Sequence, residues 1–152
     1  MLNWKLIGTI SLGAIVLSGP VSGHSGATGI VKERMDGMGV LADAVKSVGN
    51  MLRGKTPYSA EAVAWSAGAI KAHAGENMTR LFPEGSLDKP TEALPDIWTQ
   101  WAEFTKLAEQ LTNDATVLET GANEKDATRV ALQSIANTCK TCHEQFRAAK
   151  KH

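Results

Sequence analysis

Apolar residues recur every three or four positions through four separate stretches of this 152-residue chain, and nowhere do they sustain an alternation of period two. That spacing paints one stripe along a helix, so the chain must bury helix against helix. In the first stretch, Ile30 to Leu52, the stripe is Val31, Met35, Met38, Leu41, Val45, Val48 and Leu52, and Gly54 and Pro57 end it. The second runs from Ser59, placed as an N-cap, through Val63, Ala67, Ile70 and Ala74 to near Met78. The third opens at Pro95, suited to a first helical turn, and carries Ile97, Trp101, Phe104, Ala108, Leu111, Ala115 and Leu118 up to Gly121. The fourth starts with Asn123 as N-cap, has Glu124 and Asp126 where they complement the helix dipole, and passes through Leu132, Ile135, Cys139, Cys142 and Phe146 to a basic end at Arg147, Lys150 and Lys151. Four helices joined by short loops and one longer link, Phe82 to Leu94, predict an all-α, antiparallel four-helix bundle.

Charge narrows the partners. Sixteen basic residues balance 16 acidic ones, which removes the net positive field that tracking a nucleic-acid backbone needs. At the amino terminus, Met1 to Lys5 carries one positive side chain and is followed by a 12-residue apolar run, Leu6 to Leu17. That run is short for a bilayer span and breaks at Gly19-Pro20 before the small residues Val21-Ser22-Gly23. Residues 1–23 therefore read as a cleaved export signal, leaving residues 24–152 as one domain with 15 bases against 16 acids. An uncleaved segment would be the chain's only link to a membrane.

Chemistry concentrates in the fourth stretch. Cys139-Lys140-Thr141-Cys142-His143 is the Cys-x-x-Cys-His pattern of covalent c-type haem attachment, and it uses both cysteines of the chain. On a helix the two sulfurs fall on one face, spaced for two vinyl groups, and the next residue turns its imidazole to the iron. A thioredoxin-like dithiol would need a βαβ setting and gives His143 no role. A structural zinc site would need a fourth ligand that no second Cys pair supplies. Export to an oxidising compartment agrees with haem attachment.

With one haem c in place, the chain resembles the class II cytochromes c, the cytochrome c′ family. The motif is followed by Glu144-Gln145-Phe146-Arg147, an aromatic and then a basic residue as in that family. Val31-Lys32-Glu33-Arg34, Gly54-Lys55-Thr56-Pro57-Tyr58, Leu81-Phe82-Pro83-Glu84-Gly85-Ser86 and Pro95-Asp96-Ile97-Trp98 match in order and spacing. The resemblance implies that Cys139 and Cys142 carry the thioethers and that His143 is the proximal iron ligand. It also implies that Arg34 faces a haem propionate and that Arg147 is the proximal-side basic residue. In typical members the residue four positions after the arginine is a bulky apolar group that covers the iron without binding it. Here that residue is Met38, whose thioether can reach iron and would give a six-coordinate, low-spin haem of raised potential. Gly37 and Gly39 flank Met38 and each costs about 1 kcal/mol in a helix interior, which close approach to a flat macrocycle would offset. Met35, one turn earlier, is the rival ligand.

These readings lead to an expected periplasmic carrier of single electrons between donor and acceptor proteins, with no acid–base pair or nucleophile that would make it an enzyme. The alternative is a five-coordinate cytochrome c′ that binds nitric oxide or carbon monoxide. Trp65, Trp98 and Trp101 are expected in the core or the haem pocket, Met78 beside it, and His73 at the surface. Ala60, Ala62, Ala64, Ala67 and Ala69 would let a second copy approach, as family members often pair through the first two helices.

Overall fold

The computed structural model describes residues 26–149. The expected export signal, His24 and the terminal Lys150, Lys151 and His152 lie outside them. The described residues form six helices: α1 Gly29–Leu52, α2 Ala60–Ala72, α3 Gly75–Thr79, α4 Asp96–Thr99, α5 Trp101–Thr120 and α6 Lys125–Phe146. α1, α2 with α3, α4 with α5, and α6 are the four limbs of an antiparallel bundle, and none of these helices is long and apolar enough to cross a membrane.

Local chemistry sets the ends. Gly54 adopts φ +72°, and α1 closes on the paired bonds of Lys55 N–H to the Asn50 carbonyl (2.9 Å) and Gly54 N–H to the Met51 carbonyl (3.1 Å). At α2 the Ser59 hydroxyl caps the helix by accepting from the Ala62 N–H at 3.2 Å.

Two expected helices are broken. The second stops at Ala72 and restarts at Gly75, whose φ of +56° interrupts the helical path. A Cβ there would also stand 2.8 Å from Thr112 Oγ1 of α5, so glycine lets the bent limb lie against its neighbour. The third is split at Gln100, with φ −121° and ψ 38°, into the single turn α4 and the long α5. The N-cap of α6 is Glu124 and not Asn123, and no side chain bonds the free N–H groups there.

The stripe on α1 is rotated from the expected one. Its buried line is Val31, Arg34, Gly37, Leu41, Ala44 and Val48, whereas Met35, Met38 and Val45 sit half-buried along one edge. Trp65 is 75% exposed on α2 and is not a core residue, and Trp101 is 40% exposed. Trp98 is half-buried and donates its Nε1–H to the Phe82 carbonyl at 3.0 Å. Ala67 is fully buried within the chain, and Ala60, Ala62, Ala64 and Ala69 pack against the same core.

The long link is fixed at both flanks. Leu94 N–H donates to the Phe146 carbonyl (3.0 Å) and Ala148 N–H to the Glu92 carbonyl (2.8 Å), a two-bond antiparallel bridge that ties the link to the end of α6. Arg147, which follows α6, pairs its guanidinium with the Glu92 carboxylate.

Candidate functional site

One cavity of about 830 Å³ opens between α1, the first half of α5, the second half of α6 and the link. Its volume falls inside the range of about 300–1,000 Å³ usual for ligand sites. Met35, Met38, Gly39, Leu41, Ala42 and Val45 form the α1 wall. Thr138, Cys139, Cys142, His143 and Phe146 form the α6 wall, Ile97, Phe104, Leu107, Ala108 and Leu111 the floor, and Pro90 to Ala93 one side. Every site residue expected from sequence lines this space: Cys139, Cys142, His143, Met38, Arg34 and Arg147, with Met35 and Met78 beside them.

The cysteines stand three residues apart on α6, each half-buried and each a free thiol. Burial, reinforced by the Asp114 carboxylate, raises the Cys139 pKa; burial and the neighbouring Cys139 push Cys142 up to about 11. Before any group is attached, both sulfurs are therefore kept as thiols at neutral pH, the opposite of the activated thiolate of a redox or metal-binding pair. His143 shows an exposed edge at the cavity's mouth. Partial burial of its ring lowers the imidazole pKa, Arg147 lowers it further and Glu92 opposes both, so the neutral form, which has a lone pair to give a metal, is favoured.

Arg34 is only 5% exposed, and all five of its N–H donors are engaged by Leu81 and the link that follows it. Nε and Nη2 donate to the Leu81 carbonyl (3.2 and 2.8 Å), Nη1 to the Ser86 carbonyl and Thr91 Oγ1 (both 3.2 Å), and Nη2 to Ser86 Oγ (2.7 Å). The guanidinium also lies 4.0 Å from the centre of the Phe82 ring. It makes no ion pair among the described residues, so its positive charge stands uncompensated on the rim of an apolar cavity.

Sequence reasoning missed several parts of the site. Phe82, Phe104 and Phe146 interlock edge-to-face, with centroids 4.9 and 5.4 Å apart, and all three line the cavity. None of the three tryptophans named above does. Gly37 is not turned to the cavity: a Cβ there would meet Nδ1 of His73 at 3.3 Å, so this glycine serves the approach of α1 to the end of α2. His73 is half-buried there and is not a free surface side chain. Gly39 does line the cavity, with nothing within 4 Å of its Cβ position.

A flat, largely apolar ring with two acidic side arms fits this donor set. It would find two thiols to bond, an imidazole beside them, apolar and aromatic walls, and an unpaired cation at the rim.

The family model described as cytochrome C′ matches residues 29–147, and the chain belongs to the cytochrome c′ family. Cytochrome c′ of Rhodopseudomonas palustris is 31% identical over 124 residues, 81% of this chain and 84% of its own. A solved cytochrome c′ from Rhodopseudomonas palustris, 28% identical, superposes with a TM-score of 0.76 over 82% of this chain and 100% of that one. Cytochrome c-556 of Agrobacterium fabrum is 29% identical over 95% of this chain and 92% of its own. Another solved cytochrome c′, 25% identical with a TM-score of 0.72 over 79% of this chain and 95% of that one, is described as having a ligand-controlled dimer dissociation. The protein is a four-helix-bundle c-type cytochrome with one covalently bound haem c, carried by the two cysteines of its single attachment motif.

Proposed function

We propose that this cytochrome works in the periplasm after losing residues 1–23, with His143 as the iron ligand on one face and the other face left to nitric oxide or carbon monoxide. The observation that carries the reading is the make-up of the cavity. An imidazole stands at the α6 wall, and the α1 wall holds Met35, Met38, Leu41, Ala42 and Val45, with no nitrogen or carboxylate donor among them. Such a wall disfavours charged ligands and suits a small neutral molecule. Membership of the cytochrome c′ family supports the same reading, since typical members cover the iron with an apolar side chain at the position of Met38. Cys139 and Cys142 hold the ring, Arg34 supplies positive charge toward its propionates, and Arg147 braces the link beside His143 through Glu92.

Met38 favours a second reading. Its thioether is half-buried on the cavity wall four residues after Arg34, where it would close the iron as a His/Met pair. The protein would then carry single electrons between periplasmic donor and acceptor proteins. An absorption spectrum of the ferrous protein separates the two. A broad high-spin spectrum that changes at once on adding carbon monoxide supports the gas-binding reading. A sharp, split α band that becomes high-spin in Met38→Ala supports the electron carrier.

A homodimer through α1 and α2 belongs to the same proposal. Trp65, 75% exposed on α2, is the side chain that a second copy would cover. Light scattering of the wild type and Trp65→Ser tests it, with a monomeric wild type counting against it.

A further inference from the structure

Asp114 is 5% exposed in the interior of the bundle, three residues beyond Leu111 on α5, and does not line the cavity. Its Oδ1 accepts from Gln110 Nε2 and Ser134 Oγ, both at 2.9 Å, and its Oδ2 accepts from Thr138 Oγ1 at 2.7 Å. An amide nitrogen can only donate and both hydroxyls are free to donate, so three of the carboxylate's roughly four acceptor positions are met by donors, an arrangement that suits the ionised form. Among the described residues it makes no ion pair. Thr138 lines the cavity and directly precedes Cys139, which places the carboxylate one hydrogen bond behind the wall that carries the haem. In the chain before haem attachment, the Asp114 carboxylate adds to burial in raising the Cys139 pKa.

We propose that Asp114 is a fixed buried negative charge behind the α6 wall and that it lowers the reduction potential of the haem iron. The ferric centre carries one more positive charge than the ferrous one, so a nearby carboxylate favours it and holds the last electron less readily accepted. A surface carboxylate is screened by water and salt within about 10 Å. One sealed between α5 and α6 is screened far less, and among the described residues no ion pair neutralises it. The inference needs only the covalent haem and holds for either ligation of the iron.

The test is the reduction potential of the Asp114→Asn holoprotein by spectroelectrochemistry, with the absorption spectrum and melting curve of the same sample. Asparagine keeps the cross-link to Ser134 and Thr138, since a hydroxyl can turn to accept from its amide. The expected result is an upward shift in potential with the spin state unchanged; a potential equal to the wild type overturns the proposal. Should Asp114→Asn yield no holoprotein, the triple variant Asp114→Leu/Ser134→Ala/Thr138→Val removes the charge and its buried donors together, leaving exposed Gln110 to water. The same upward shift is expected there, and an unmoved potential again overturns the proposal. Ser134→Ala keeps the charge and loses one bond, and its potential is expected to stay at the wild-type value. A shift there as large as that of Asp114→Asn would assign the effect to the cross-link and overturn the claim. The spectrum reports ligation and the potential reports Asp114, so the two readings fail separately.

Discussion

Val48 of α1, Val63 and Ile70 of α2, Leu118 of α5 and Ile135 of α6 have no exposed surface, whereas Met35, Met38 and Val45 of α1, Leu107 of α5 and Cys139 and Cys142 of α6 keep part of theirs. On α1 the second set lies along one edge of the buried line, and along the bundle the first set extends toward one end and the second toward the other. At the sealed end, side chains from all four limbs meet, and Tyr58 locks the turn before α6 through 2.7 Å hydrogen bonds with the Ala122 carbonyl and Thr128 Oγ1. At the other end α1 and α6 face each other across a cavity, and their apolar edges are finished by nothing among the described residues. Apolar stripes that continue into a space the protein does not fill mark surface meant for a prosthetic group. The attachment motif sits on the wall of that space.

The largest expected effect breaks the cavity end outright. Cys139→Ser/Cys142→Ser has no sulfur to bond, so acid–solvent extraction should remove every trace of haem colour from it and none from the wild type. At the sealed end, Leu118→Ala removes a fully buried side chain and is expected to cost about 2–5 kcal/mol in denaturant unfolding of the holoprotein. Met35→Ala at the cavity's edge should cost less than Leu118→Ala, and an equal or larger cost would show that the cavity end is packed as tightly as the other. Arg34→Lys keeps the charge but cannot fork to Leu81, Ser86 and Thr91. It should cost about 1–3 kcal/mol through carbonyls left without donors, with faster proteolysis of residues 83–92 as the local readout. Arg147→Gln is the smallest effect, under about 1 kcal/mol, because its pair with Glu92 is partly exposed and the backbone bridge beside it remains.

The bundle was legible because each stripe repeats at the helical period over many residues, and the attachment motif because both cysteines and a histidine fall at one fixed spacing. The breaks at Gly75 and Gln100 were not. The first depends on how closely α5 passes, through Thr112, and nothing in the structure beyond the backbone angles accounts for the second. Arg34 lines the cavity, but its partners are the Leu81 carbonyl and the carbonyls and hydroxyls of the link, which carry no sequence signature. Asp114 did leave a signal, a carboxylate three residues after Leu111 on the edge of an apolar stripe, and only its three donors show why it is tolerated there. Trp65 misleads for a plain reason: aromatic size suggests a core, yet it projects from the outer face of α2, whereas Trp98 does pack against the core.

Amide hydrogen exchange of the holoprotein against Cys139→Ser/Cys142→Ser tests the difference between the two ends most directly. Loss of protection should concentrate in α1 from Arg34 to Val45 and in α6 from Thr138 to Phe146, with the amides around Val63, Ala115 to Leu118 and Thr128 to Ile135 still protected. Uniform loss along all four limbs, or loss confined to the sealed end, would contradict the account that the haem completes one end of an otherwise finished bundle.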